Sequence, residues 1–162
     1  MSSGKSSWAE SVLAGQSGVR YLATGPRTDS DTSWADRLAE HRARRPPDWT
    51  TVETADVPGE LRAVPDTPTL VDDLGGWMTG LLDSRGWDSA PWVPAAGDLA
   101  DAVGAFVAPL VLVSPEVGLS VVPATAAGRR FADELGRLNQ RIAAACDRVV
   151  LVVAGQPMQV KG

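Results

Sequence analysis

Apolar residues along the chain recur in two rhythms, one helical and one strand-like. Lys5 to Ala14 has the helical spacing and stops at Gly15, a residue suited to a helix C-terminus. Val19 to Ala23 is short, apolar and β-prone, and Thr24-Gly25-Pro26 breaks it. Ser33-Trp34-Ala35-Asp36 reads as a capping box opening a helix to Ala43, which Arg45-Pro46-Pro47 ends. Trp49 to Glu53 is expected to be extended, Thr67 to Asp72 to form a strand despite Pro68, and Trp77 to Leu82 to be helical. Gly86 to Gly97 holds Trp87, Pro91, Trp92 and Pro94 and reads as loop; Leu99 to Val107 reads as helix. Leu110 to Val113 predicts a buried strand with Pro109 at its start. Phe131, Leu135, Leu138 and Ile142 put a core-facing stripe on a long helix over Ala126 to Cys146. Val149 to Ala154 is apolar throughout, which predicts a strand covered on both faces, and Gln156 to Lys161 a last edge strand. Alternation of strand and helix indicates a single doubly wound α/β domain over residues 1–162, with a mostly parallel sheet.

Composition narrows the chemistry. The chain has 162 residues, 44% hydrophobic and 22% charged, enough for one sizeable core. A net charge of −5 argues against a nucleic-acid partner held on a broad basic face. The one cysteine, Cys146, excludes an internal disulfide and suits a reducing, cytoplasmic setting. With a single histidine beside it, a tetrahedral zinc site cannot be filled. No apolar run is long enough to predict a membrane span, and the N-terminus lacks the apolar core of a signal peptide.

Ser3-Gly4-Lys5-Ser6, opening the first helix, matches the second half of the phosphate-loop pattern G-x-x-x-x-G-K-[ST]. Glycine lets the backbone turn its N–H groups toward phosphate oxygens, and the helix N-terminus adds positive potential. Lys5 would neutralise the β and γ phosphates, and the Ser6 hydroxyl would bind Mg²⁺. The first glycine of the pattern, and the strand that delivers the loop, would lie upstream of Met1. A parallel sheet lacking that strand is expected to leave unpaired backbone groups on two neighbours, so a reading frame beginning further upstream is expected. The four residues alone also suit a helix cap on an N-terminal tail.

Several further segments carry a family resemblance. Arg37-Leu38-Ala39-Glu40-His41-Arg42-Ala43-Arg44-Arg45-Pro46, then Trp49 and Glu53, resembles an R-x-x-x-H-x-x-x-R-P…W…E signature. Leu70-Val71-Asp72-Asp73-Leu74 before Trp77-Met78-Thr79 resembles a second acidic motif. Ser114 to Pro123 is similar to an N-E-V-G-x-G-I-V-P loop, Arg130 to Arg141 to an R-x-F-x-D-x-x-G-x-x-N-Q helix, and Asp147 to Lys161 to a V-x-L-V-V-A-G tail. Together they resemble the bifunctional adenosylcobinamide kinase / adenosylcobinamide-phosphate guanylyltransferase family of cobalamin biosynthesis. The resemblance runs in order over essentially the whole chain.

The resemblance implies a RecA-like P-loop fold, a trimer with sites near subunit boundaries, and ATP and GTP as substrates with Mg²⁺. It implies phosphorylation of adenosylcobinamide, then transfer of GMP to that phosphate through a guanylylated histidine. His41, the only histidine, falls on that nucleophile. Arg42, Arg44 and Arg45 beside it would stabilise phosphate charge and keep the imidazole neutral; as a bland alternative they neutralise a helix C-terminus. Arg44, Arg45 and Pro46 would contact nucleotide, as would Thr24, Gly25 and Glu53. Asp72, at the end of an apolar run, would hold Mg²⁺ with Ser6; the competing reading is an aspartate capping the next helix. Glu116 falls in a turn after a buried strand, at the edge where α/β ligands bind. The pattern is broken at Glu40, Gly80 and Pro115. The tryptophans read as core and subunit contacts, and Cys146 as packing. Two other functions stay open: a guanylyltransferase without kinase activity, and a non-catalytic nucleotide-binding protein.

Overall fold

A computed structural model describes residues 3–25, 45–87, 92–119 and 121–162, with the backbone alone at Arg85 and Trp92. Among these are helices α1 (Lys5–Val12), α2 (Val57–Ala63), α3 (Leu74–Arg85), α4 (Trp92–Gly104) and α5 (Ala126–Ala145). The strands are β1 (Arg20–Ala23), β2 (Thr50–Glu53), β3 (Thr69–Asp72), β4 (Leu110–Val113), β5 (Val149–Val153) and β6 (Gln156–Lys161). The helix expected over Ser33 to Ala43 lies outside the described residues.

Four parallel strands form one sheet in the order β2-β1-β3-β4. Their register brings Glu53, Ala23, Asp72 and Val113 into one row, so all four carboxyl ends open onto the same edge. Side chains alternate across the sheet. Tyr21, Leu70 and Val113 face α1, packing with Ala9, Leu13 and Trp49. Leu22 and Val71 face the other way, into a larger core built with α2 to α5. There Leu135, Leu138 and Ile142 of α5 are buried, as their spacing predicts. An apolar sheet covered on both faces is the α/β architecture the chain pattern implies.

Several expectations need correction. The predicted gap is not in the described sheet: β3 and β4 pair directly, and the Thr69 N–H donates to the Pro109 carbonyl at 3.0 Å. Buried backbone groups take their partners from whichever strand lies adjacent. The run ending at Val153 does not join the parallel sheet. β5 pairs antiparallel with β6 in a separate two-stranded sheet, and only Val152 is buried. The reason is local: Ala154 and Gly155 both take positive φ, 49° and 78°, as a two-residue hairpin turn requires. Such a turn needs no crossover, so pairing with the next residues in sequence wins.

Residues 92–97 are not loop, because α4 begins at Trp92. Pro94 sits in its first turn, where a missing N–H removes no intrahelical bond. α3 starts at Leu74, earlier than Trp77, because the Asp73 carboxylate accepts from Gly76 N–H at 2.7 Å. α1 ends before Gly15, with its last cap at Leu13. α2 is an addition to the predicted elements. Its signal is Asp56, which accepts from Gly59 N–H at 3.0 Å, with Pro58 in the first turn and Val57 and Leu61 one turn apart in the core.

Candidate active site

The N-terminus of α1 meets the carboxyl end of the sheet at Asp72. Gly4, the N-cap of α1, has φ 87°, and a Cβ there would lie 3.0 Å from Gly155 Cα. The Ser3 carbonyl accepts from Gly155 N–H at 2.8 Å, tying this loop to the β5–β6 turn. Lys5 and Ser6 follow in the first turn, where backbone N–H groups have no helical partner. The Ser6 hydroxyl donates to Asp72 Oδ1 at 3.3 Å. The other oxygen, Oδ2, accepts from the Tyr21 hydroxyl at 2.6 Å.

Asp72 and Asp73 divide the two roles that the sequence left open for one aspartate. Asp73 caps α3, and Asp72 faces the loop. Burial pushes the Asp73 carboxyl above its ordinary value; the Gly76 N–H opposes that rise, and the nearby charge of Asp72 adds to it. Thr24 is buried beside them and donates to the Asp73 carbonyl at 2.5 Å. Gly25 runs against Gly76, where a Cβ would come within 3.2 Å of Gly25 Cα. Ser3, Gly4, Lys5, Ser6, Thr24, Gly25 and Asp72 thus gather at one edge. A hydroxyl and a carboxylate oxygen are hard ligands suited to Mg²⁺, which keeps several waters and uses few protein ligands. No group of three His, Cys, Asp or Glu that could cage a metal occurs among the described residues.

A second cluster lies further along α1. The Arg45 side chain is only 4% exposed, which rules out a solvated role for it. Its Nε donates to Glu10 Oε1 at 3.2 Å and its Nη1 to Thr51 Oγ1 at 3.2 Å. The guanidinium carbon sits 3.3 Å from the centre of the Tyr21 ring. Arg45 Nη2 and Trp49 Nε1 are buried without a hydrogen-bond partner among the described residues. Both residues line a cleft of about 210 Å³ with Glu10, Ser11, Ala14 and Pro46. His41, Arg42 and Arg44 lie outside the described residues.

Comparison with known proteins bears on this arrangement. A family model described as cobinamide kinase / cobinamide phosphate guanyltransferase, CobU, matches residues 1–160. The chain belongs to the CobU family. A bifunctional adenosylcobalamin biosynthesis protein CobP of Pseudomonas aeruginosa is 41% identical over 168 residues, covering 99% of this chain and 92% of the relative. The CobU proteins of Salmonella typhimurium and Escherichia coli are 36% and 35% identical over 173 residues, each covering 98% of this chain and 94% of the relative. The family is of P-loop type, and its kinase and guanylyltransferase activities belong to cobalamin biosynthesis.

Two other expected residues of this CobU-family chain reach the same edge less directly. Glu53 ends β2 level with Ala23 and is exposed. Glu116 follows β4, but its carboxylate folds back to accept from Gly118 N–H at 2.7 Å. Its loop is held by Asn139 of α5, which accepts from the Ser114 hydroxyl at 2.6 Å and donates to the Pro115 carbonyl at 2.9 Å. Pro115 also presses on the start of α3, 2.8 Å from where a Cβ of Gly75 would be. Tyr21, Glu10 and Asp73 were missed from sequence. Tyr21 carried one faint signal: it is the only tyrosine, three residues before the strand-end Thr24.

Proposed function

We propose that this chain phosphorylates adenosylcobinamide with ATP or GTP at the edge formed by Lys5, Ser6 and Asp72, then transfers GMP to that phosphate through His41. The observation that carries the first half is the meeting of the Ser6 hydroxyl and the Asp72 carboxylate at the start of α1. The substrate hydroxyl oxygen attacks the terminal phosphorus, the bond to the bridging oxygen breaks, and the nucleoside diphosphate leaves. The hydroxyl proton passes to solvent. Lys5 and the free N–H groups of the first turn hold the phosphates, and Mg²⁺ on Ser6 and Asp72 would neutralise their charge.

In the second half the His41 imidazole attacks the α-phosphorus of GTP and pyrophosphate departs. A phosphate oxygen of the substrate then displaces the imidazole, giving adenosylcobinamide-GDP and free His41. Arg44, Arg45 and Pro46 contact this nucleotide; a buried N–H of Arg45 without a partner among the described residues supports that role, since such a donor gains from an acceptor. Thr24, Gly25 and Glu53 line the nucleotide edge, and Glu116 belongs to the site loop that follows β4.

The protein works as a homo-oligomer, a trimer by its family, in the cytoplasm. Exposed Leu119, Val121 and Val122 after β4, and Met158 and Val160 on the hairpin, support an interface between copies. No helix among the described residues is long and apolar enough to cross a membrane.

Intact mass after incubation with GTP and Mg²⁺ tests the transferase half: a GMP adduct is expected, and its absence from His41→Ala. Separate assays with adenosylcobinamide and with its phosphate divide the two activities. Turnover of the phosphate alone would mean a guanylyltransferase without kinase activity, and neither adduct nor turnover would leave nucleotide binding only.

A further inference from the structure

We propose that Tyr21 is a positioning residue of the phosphate site, holding the Asp72 carboxylate so that one oxygen faces Ser6 and the metal–nucleotide. The proposal rests on the reading of Lys5, Ser6 and Asp72 as that site. Tyr21 lies on β1 in register with Leu70, and Asp72 is two residues further along β3 on the same face. An aromatic side chain reaches such a diagonal neighbour. Its hydroxyl donates to Oδ2 at 2.6 Å, the length of a charge-assisted bond, and leaves Oδ1 for Ser6 at 3.3 Å.

The carboxylate needs this help because its terminal torsion is broad. Of the two hydroxyls on the Asp72 carboxylate, the phenol is the closer, 2.6 Å against 3.3 Å for Ser6, and so constrains its plane more. The phenol is itself held. Tyr21 is 4% exposed, packed in the core beneath α1, and the Arg45 guanidinium covers its ring at 3.3 Å. Burial, and then the charge and hydrogen bond of Asp72, push its pKa far above the ordinary phenol value. The part of Tyr21 is geometric: its one hydrogen bond sets where Oδ2 points.

A positioning role separates from a merely structural one through the metal. Full-length wild type, Tyr21→Phe, Asp72→Asn and the double variant are titrated calorimetrically with the β,γ-imido analogue of ATP, with and without Mg²⁺. Tyr21→Phe keeps the ring and its packing. Losing a hydrogen bond to a charged group is expected to weaken affinity in the presence of Mg²⁺ by about tenfold, with metal-free affinity changed by at most about twofold. Tyr21→Phe added to Asp72→Asn is expected to cost little more than Asp72→Asn alone, because both act through one carboxylate. The Mg²⁺ concentration for half-maximal phosphorylation should rise in parallel.

Equal loss with and without metal, or full additivity of the two substitutions, would overturn the proposal. So would Tyr21→Phe binding the Mg²⁺ complex as tightly as wild type. A wild-type protein that binds the analogue no better with Mg²⁺ than without would instead overturn the phosphate site on which the proposal depends.

Discussion

Ser6 and Asp72 stand 66 positions apart in sequence, and their side chains meet at 3.3 Å where α1 begins and β3 ends. Taken alone, each segment also admits a bland reading, a helix cap on an N-terminal tail for one and a capping aspartate for the other. Together they give a helix N-terminus, a hydroxyl and a carboxylate on one edge, the parts that phosphoryl transfer requires. Asp72→Asn keeps the shape and removes the charge. It is expected to lower the kcat of adenosylcobinamide phosphorylation by about 10²-fold, in line with losing one preorganised electrostatic group. A steady-state assay at saturating Mg²⁺ measures this; an unchanged kcat would remove Asp72 from the site.

Gly4 has a conformational and a spatial reason to be glycine: φ is 87°, and a Cβ would meet Gly155 Cα at 3.0 Å. Gly4→Ala should destabilise the fold by about 1–2 kcal/mol, the cost of a left-handed L-residue, and should weaken nucleotide binding as the loop shifts. Urea unfolding and nucleotide titration report the two effects.

Arg45→Ala should do more harm than a surface arginine would. It removes the Arg45 side of the ion pair with Glu10, whose side chain is only 14% exposed, and uncovers the Tyr21 ring. Breaking a buried ion pair from one side costs about 3–5 kcal/mol. Arg45→Lys keeps the charge but cannot reproduce two directed N–H bonds, to Glu10 and Thr51, together with a planar stack, so partial rescue is expected. Chemical denaturation of both variants checks the order.

Asp73 gives a pH dependence of definite sign. Its folded pKa is raised above the ordinary 3.8, chiefly by burial, so the folded state holds the proton more tightly than the unfolded state. Its contribution to stability is fully present below pH 3.8 and is lost as pH rises through the raised folded value. Asp73→Asn, which still offers an oxygen to Gly76 N–H, should match wild type at low pH. At neutral pH it should be the more stable of the two. Thermal unfolding across that range measures the difference, and a gap that widens toward acid would contradict the assignment.

The strands and the long helix were legible because they depend on local pattern. The short apolar, β-prone run at Val19 to Ala23 and the helical stripe from Leu135 to Ile142 are local signals, which packing then obeys. Motif order carried the family, since Gly4-Lys5-Ser6, Arg45-Pro46 and Asn139 keep their spacing whatever the fold does with them. Pro94 misled, because its effect depends on whether it falls in a helix's first turn or its interior, and that depends on where the helix starts.

Sequence by itself determined the α/β class and the family, and named most of the residues that gather at the edge around Asp72. Tertiary structure decided which of two adjacent aspartates faces the loop and that β5 turns back on β6. It also decided that β3 and β4 pair directly and that Tyr21 joins Arg45 to Asp72. These are contacts between segments far apart in the chain, or choices between competing partners. They turn on register and on which groups burial leaves without water, and no local pattern encodes either.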